Sequence, residues 1–257
     1  HYTDTMDEQN APTNRLTNLS AFESVLAHYR PSQPSIALFR SVKLVMLVGP
    51  TAAGRNTLIS ILTATGRYKM IVSDTTRHPR TNNGVLEQDG SEYWFKTETD
   101  FLAGLKEGHY LEAAIIHQQQ VSGAHIREFE AVKDAGVIAL KEIEPHGADL
   151  YYQMNPAILA IFLLPPSFPI WMERLRGRDD MPEPELIRRL QSAKSELHYA
   201  LSEDIYQFVV NNEIHEAADA VDQLAIGRAP NPQKQAYGRQ HAATLIAAVT
   251  DYLDNLS

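Results

Sequence analysis

The sequence predicts an α/β fold with a parallel core sheet and helices on both of its faces, on three observations. The apolar runs Leu44 to Val48 and Ala157 to Leu164 are continuous rather than alternating, the pattern of strands buried on both faces. Strand-like and helix-periodic stretches alternate along most of the chain. The first apolar run stops at Gly49-Pro50 and leads to Gly54, Arg55, Asn56 and Thr57, which is the order strand, glycine loop, helix start. That order suits an anion, because glycines let backbone N–H groups turn around phosphate oxygens while the helix points its positive end at them. Against the pattern GxxxxGK[ST], Gly49 and Gly54 fit and Thr57 can offer a hydroxyl to Mg²⁺, but Arg55 stands at the lysine position and Asn56 follows it. The competing reading is a plain strand-to-helix turn.

Taken in order, residues 1–19 are polar and aperiodic and read as a flexible leader. Ala21 to Arg30 has Phe22, Val25, Leu26 and Tyr29 at helical spacing, ended by Pro31. After the loop, a helix turns Leu58, Ile61 and Leu62 to the core. Residues 69–73 and 92–95 read as short strands, 100–107 as a helix, 111–117 as a strand, 126–135 as a helix and 137–143 as a strand. The run 157–164 is stopped by Pro165-Pro166. A helix at 170–175, an amphipathic helix at 185–201 and a strand at 206–210 follow. GRAPNPQKQAYG, after Ile226, reads as a linker, and residues 239–256 as a terminal helix.

Composition narrows the functions. Of 257 residues, 44% are hydrophobic and 21% charged, an ordinary globular balance. A net charge of −9 argues against broad binding to nucleic acid or anionic membrane. Cysteine is absent, which removes disulfides, thiolate metal sites and a thiol nucleophile, and suits a cytoplasmic setting. The chain opens at His1 rather than methionine, so its natural start is expected upstream. His109, His117, His125 and His146 lack a helical ligand spacing and read as surface or satisfied polar residues.

A second informative stretch is SDTTRHPR, residues 73–80. Arg77 and Arg80, flanked by hydroxyls and stiffened by Pro79, can clamp a phosphate through charge-assisted hydrogen bonds. Alone it would read as a solvated basic loop, but it is one of a series. The phosphate loop, TTRHPR, DGSEYWF, HYLEAAIIH, KEIEPHGA, AIFLLPPS and RLRGR resemble guanylate kinases in order and spacing over about 42–225.

The resemblance implies a small mixed nucleoside monophosphate-binding subdomain at about 74–135 and a lid at about 174–190, added to the parallel core. It implies that Ser73, Arg77, Arg80 and Tyr93 bind GMP, with Glu112 and Glu144 reading guanine. Guanine offers N1–H and N2–H₂ as donors, so a carboxylate selects it over adenine; each glutamate alone would read as a solvated strand-end carboxylate. It implies that Gly49, Ala52, Ala53, Gly54, Arg55, Asn56 and Thr57 hold ATP, and that Glu142, one methylene longer than the family's aspartate, helps Thr57 place Mg²⁺. Arg174, Arg178 and Arg189 match the lid and transfer arginines and, with Arg55, form the catalytic set. Arg176 and Arg188 read as solvated neighbours. Asn211 falls near the ATP adenine, or is a turn-forming asparagine.

Two departures stand out. Arginine replaces the family's phosphate-loop lysine, keeping the charge on a longer, planar group. Val121-Ser122-Gly123 replaces a tyrosine, a glycine and a hydroxyl residue, after Gln118 to Gln120 in a normally glycine-containing segment. The expected domains are an N-terminal extension at 1–41, a guanylate kinase-like domain at 42–226, and a linker with C-terminal helix at 227–257. The expected activity is ATP:GMP phosphotransfer with Mg²⁺, without nucleic acid or membrane, the terminal extensions being where a protein partner would bind. The alternatives are a protein-binding module with lost turnover and a kinase for another monophosphate.

Overall fold

The computed structural model of the protein describes residues 15–177 and 181–256. In chain order, α1 (Leu19–Leu26) and α2 (Gln33–Arg40) precede β1 (Leu44–Val48), the loop, and α3 (Arg55–Ala64). Then come β2 (Tyr68–Met70), β3 (Asp74–Thr75), β4 (Thr81–Asn82), β5 (Val85–Leu86), β6 (Trp94–Phe95), α4 (Glu98–Lys106), β7 (Tyr110–Ile116) and β8 (Gln120–His125). The chain continues through α5 (Arg127–Ala135), β9 (Ile138–Glu142), α6 (Pro145–Met154), β10 (Leu159–Leu164), α7 (Phe168–Arg176) and α8 (Glu183–Ser202). It ends with β11 (Tyr206–Val210), α9 (Ile214–Ala225) and α10 (Pro232–Asp254). None of these helices is long and apolar enough to cross a membrane.

Two compact units result, one from residues up to Leu38 with Val72–Glu128, the other from Phe39–Ile71 with Phe129 onward. The second holds a five-stranded sheet in the order β11-β10-β1-β9-β2, parallel throughout. All of β1 is buried, and on one face Val45 and Leu47 join Leu140, Ile161 and Leu163 beneath Leu58 and Leu62 of α3 and Val221 of α9. On the other face α6 packs against β1, with the Lys141 ammonium 5.8 Å from the Tyr151 ring centre. Strands β1 and β10 therefore have to be apolar on both sides, which is why they read as continuous runs.

Strand β11 is an outer strand. Its Phe208 N–H donates to the Gln235 side-chain oxygen at 2.7 Å, and the Gln235 amide donates back to the Phe208 carbonyl at 3.3 Å. Gly238, one turn on, fits against Phe208, where an added Cβ would lie 2.6 Å from the Phe208 Cβ.

The first unit is built on a four-stranded mixed sheet, β6-β3-β8-β7, and a hydrophobic cluster of Leu16, Phe22, Phe101, Leu105, Tyr110 and Val121. Phe101 stacks on Tyr110 at 4.2 Å, and Phe22 meets Phe101 edge-on at 6.1 Å. At its centre the fully buried Asp74 carboxylate accepts from the Tyr110 hydroxyl at 2.7 Å and pairs with Arg127.

Several expectations change. Among residues expected as leader, 15–19 are ordered by tertiary contacts: Leu16 is buried, its N–H donates to the Gln118 carbonyl, and Asn18 N–H donates to Glu98 at 2.8 Å. Residues 1–14 lie outside the described residues. The first helix is Leu19–Leu26 rather than 21–30, and α2, which the sequence reading lacks, begins at Gln33, past Pro31, and carries Pro34 as its second residue, where a proline costs no helical hydrogen bond. The strand expected at 69–73 is Tyr68–Met70, the chain leaving the sheet after Ile71 N–H bonds the Leu140 carbonyl. The expected linker is largely helix. Asn231 caps α10 by accepting from Gln233 and Lys234 N–H, with Pro232 at the first helical position.

A candidate phosphoryl-transfer site

In the second unit the glycine loop leaves β1 where side chains are not tolerated. A Cβ on Gly49 would lie 2.5 Å from the Leu163 carbonyl oxygen, and one on Gly54, at φ +107°, would collide with the Asn211 amide. Asn211 is buried and its amide donates to the Ala53 carbonyl at 2.9 Å, while Trp171 Nε1 donates to the Thr51 carbonyl at 2.8 Å. The loop is thus pinned from the end of β11 and from α7. No side chain caps α3 at Gly54, so its positive end is open to an anion.

Two cavities meet this loop. One, of about 640 Å³, is lined by Ala52, Gly54, Thr57, Arg174, Asn211 and Ile214 among others. The other, of about 170 Å³, is lined by Thr51, Ala52, Gly54, Arg55, Asn56 and Glu142. Here Arg55 Nη1 lies 3.2 Å from Glu142 Oε1, at the end of β9 where Glu142 is in register with Leu47. Burial raises the Glu196 carboxyl above the usual carboxylate range, against the attraction of Arg55 and with repulsion from Glu144 adding to the rise. Arg55 therefore pairs with the β9 carboxylate, and its charge is felt at Glu196 on α8.

Ala53 is buried in the core side of the loop, and Glu144 is exposed at the N-cap of α6 without a side-chain cap bond. Arg189 Nε donates to Glu185 Oε1 at 2.9 Å, and Arg188 engages the same carboxylate, which both arginines hold below its ordinary pKa, Arg189 most. Arg178 lies outside the described residues.

In the first unit Arg77 is gripped by Glu87: Nη1 to Oε2 at 2.5 Å and Nη2 to Oε1 at 2.9 Å. Its guanidinium lies 4.9 Å from the Tyr93 ring centre and 5.7 Å from that of Phe95. Glu87 also accepts from Arg80 N–H at 2.9 Å, and these bonds, Arg77 first, hold its carboxyl down to about 2. Glu87 thus ties Arg77, Arg80 and Tyr93 into one cluster, with the Arg80 side chain exposed. Ser73 follows β2, and its carbonyl accepts from Trp94 N–H, tying it to β6. Glu112 is half-buried on β7 opposite Ala124. Ser122 Oγ donates to Thr75 Oγ1 at 3.0 Å, a structural use of the hydroxyl in the divergent Val121-Ser122-Gly123 stretch.

The cavities gather Ala52, Gly54, Arg55, Asn56, Thr57, Glu142, Arg174 and Asn211 in the second unit, and the Glu87 cluster gathers Arg77, Arg80 and Tyr93 in the first. Glu112 and Glu144 fall in different units. Sequence reasoning missed Glu87 and Glu196. For Glu87 a signal existed, an acid shortly after RxxR in TNNGVLEQDG; Glu196, within an amphipathic helix, had none. Among the described residues no group of three or more histidines or acids is disposed to hold a metal.

A sequence model of the guanylate kinase family matches residues 41–226. A guanylate kinase of Corynebacterium diphtheriae is 35% identical over 188 residues, covering 72% of this chain and 95% of that protein. One of Bifidobacterium longum is 35% identical over 181 residues, covering 68% and 89%. A crystal structure of guanylate kinase from Anaplasma phagocytophilum aligns with a TM-score of 0.49 at 28% identity, covering 71% of this chain and 84% of that one. With the glycine loop seated at the end of β1 and its family pattern running through the whole parallel core, the chain belongs to the guanylate kinase family.

Proposed function

We propose that the protein transfers the γ-phosphoryl group of ATP to GMP, giving ADP and GDP. The observation that carries this reading is the 640 Å³ cavity in which Gly54 and Thr57 of the phosphate loop share a wall with Arg174. A loop that cradles phosphates and an arginine over the same space supply the two things phosphoryl transfer needs, a fixed donor and charge where the transition state develops it.

The donor phosphates bind the N–H groups from Ala52 to Thr57, with Arg55 and Arg174 beside them. The acceptor phosphate binds Arg77, Arg80, Tyr93 and Ser73, and Glu112 and Glu144 accept from the guanine edge. Arg178 and Arg189 complete the charge over the moving group. Thr57, by its hydroxyl, and Glu142, through water, would hold Mg²⁺, an ion that keeps several waters and binds mainly through substrate phosphates, whose charge it would neutralise. The reading retains 42–226 as the kinase domain, with acceptor-binding residues at about 74–135 and a lid at about 174–190.

The test is coupled ADP release with MgATP and GMP, dGMP, AMP or UMP in turn, with Arg77→Ala as control. GMP-dependent release that falls at least about a thousandfold in kcat/KM with Arg77→Ala is expected. No release with any monophosphate from folded protein would overturn the reading.

A further inference from the structure

Helix α10 lies beyond the residues that match the family, yet it reaches the two helices that carry Arg174 and Arg189. Its direction is fixed by two contacts. Near its start Arg239 Nη2 donates to the Leu201 carbonyl at the far end of α8 at 2.6 Å, and near its finish Tyr252 meets Glu183, the first residue of α8. The helices therefore run antiparallel.

The Tyr252 hydroxyl does two things at once. It accepts from Arg176 Nη2, on the last residue of α7, at 3.0 Å, and donates to Glu183 Oε1 at 3.3 Å. Its ring rests against Phe168, at the start of α7, with centres 6.0 Å apart. Both bonds involve a charged partner and lie between exposed side chains, so they act through geometry more than through strength.

We infer that Tyr252 is a positioning residue: one hydroxyl joins the facing ends of α7 and α8 and so sets the spacing of Arg174 and Arg189. The inference rests on the phosphotransferase reading for its kinetic consequence and on the hydrogen bonds for its structural one. Charge placed off the line of transfer loses rate rather than substrate affinity.

The experiment uses the full chain. Tyr252→Phe keeps the ring on Phe168 and removes both bonds. A fall in kcat of about fivefold is expected, with the GMP and ATP KM values within about twofold and the thermal midpoint within about 2 °C. Arg176→Met combined with Tyr252→Phe is expected to lose no more than Tyr252→Phe alone. Because the sequence has no cysteine, Glu173→Cys with Gln191→Cys takes two spin labels on α7 and α8 and no others. Tyr252→Phe is expected to broaden their distance distribution. An unchanged distribution overturns the inference, and so does an unchanged kcat in active protein. If the unsubstituted chain releases no ADP with any monophosphate, it is the functional reading that fails, and the label distances alone decide whether Tyr252 is a tether.

Discussion

Charge is built differently into the two units. In the first, Asp74 is fully buried beneath an Arg127 whose side chain is 31% exposed, and the Arg77 and Glu87 side chains are only 10% and 8% exposed. In the second, Arg55 and Glu142 are 21% and 34% exposed, and Arg189 and Glu185 are 37% and 34% exposed. A desolvated ion must keep its partner, whereas a half-solvated pair can part at small cost. The Arg77–Glu87 pair is therefore held as architecture, and the Arg55–Glu142 and Arg189–Glu185 pairs can open at smaller cost.

Asp74 tests the architectural end of this contrast most severely. Asp74→Ala strands Arg127 and the Tyr110 hydroxyl, and a loss of about 3 kcal/mol is expected in urea unfolding. A loss no larger than that of an exposed pair would erase the distinction. Next, Glu87→Gln keeps the shape but weakens the grip on Arg77. The KM for GMP is expected to rise about tenfold with kcat less affected and the KM for ATP unchanged. A lower KM for GMP would mean that Glu87 competes with the substrate phosphate rather than orienting its ligand.

A smaller effect concerns protons. Burial, then the nearby Arg127, depresses the His125 imidazole to about 4, while an unfolded histidine titrates near 6.5. The unfolded chain takes up a proton before the folded one, so this contribution is complete above about pH 6.5 and lost as pH falls toward 4. His125→Asn keeps an acceptor for Arg127 N–H and is expected to reduce the stability lost over that interval by roughly 1 kcal/mol, discounted for partial exposure. The smallest effect belongs to the glycine loop. Arg55→Lys shortens the reach to Glu142, and kcat/KM for ATP is expected to fall about threefold while stability shifts by less than about 0.5 kcal/mol. A rise in activity would show the arginine to be an obstruction rather than a fitted replacement.

Legibility followed locality. Leu44–Val48 and Tyr206–Val210 were readable to the residue, because buried strands between turn residues announce both ends. Gly49 and Gly54 were readable because backbone crowding at a loop allows nothing else. The start of α10 was misjudged although Asn231-Pro232 carries the cap signal, since Gly238 and the prolines weigh toward a linker until Phe208 is seen to need the space. Glu87, Glu196 and Tyr252 acquire meaning only from partners that the fold brings to them. The twofold engagement of Glu185 by Arg188 and Arg189 was open to helical spacing alone, but its bearing on Arg189 was not.

The exchange of bonds between Gln235 and Phe208 has a consequence for where the protein can be cut. An outer strand with unpaired N–H and C=O groups is a template on which another chain can add a strand. Here a single glutamine amide imitates the next strand for one residue, and the helix behind it shields the rest. A fragment ending at residue 226, the limit of the family match, would carry every residue assigned to ATP and GMP and yet expose that template, so loss of solubility is the outcome to expect of such trimming, in addition to the loss of rate that follows from removing Tyr252.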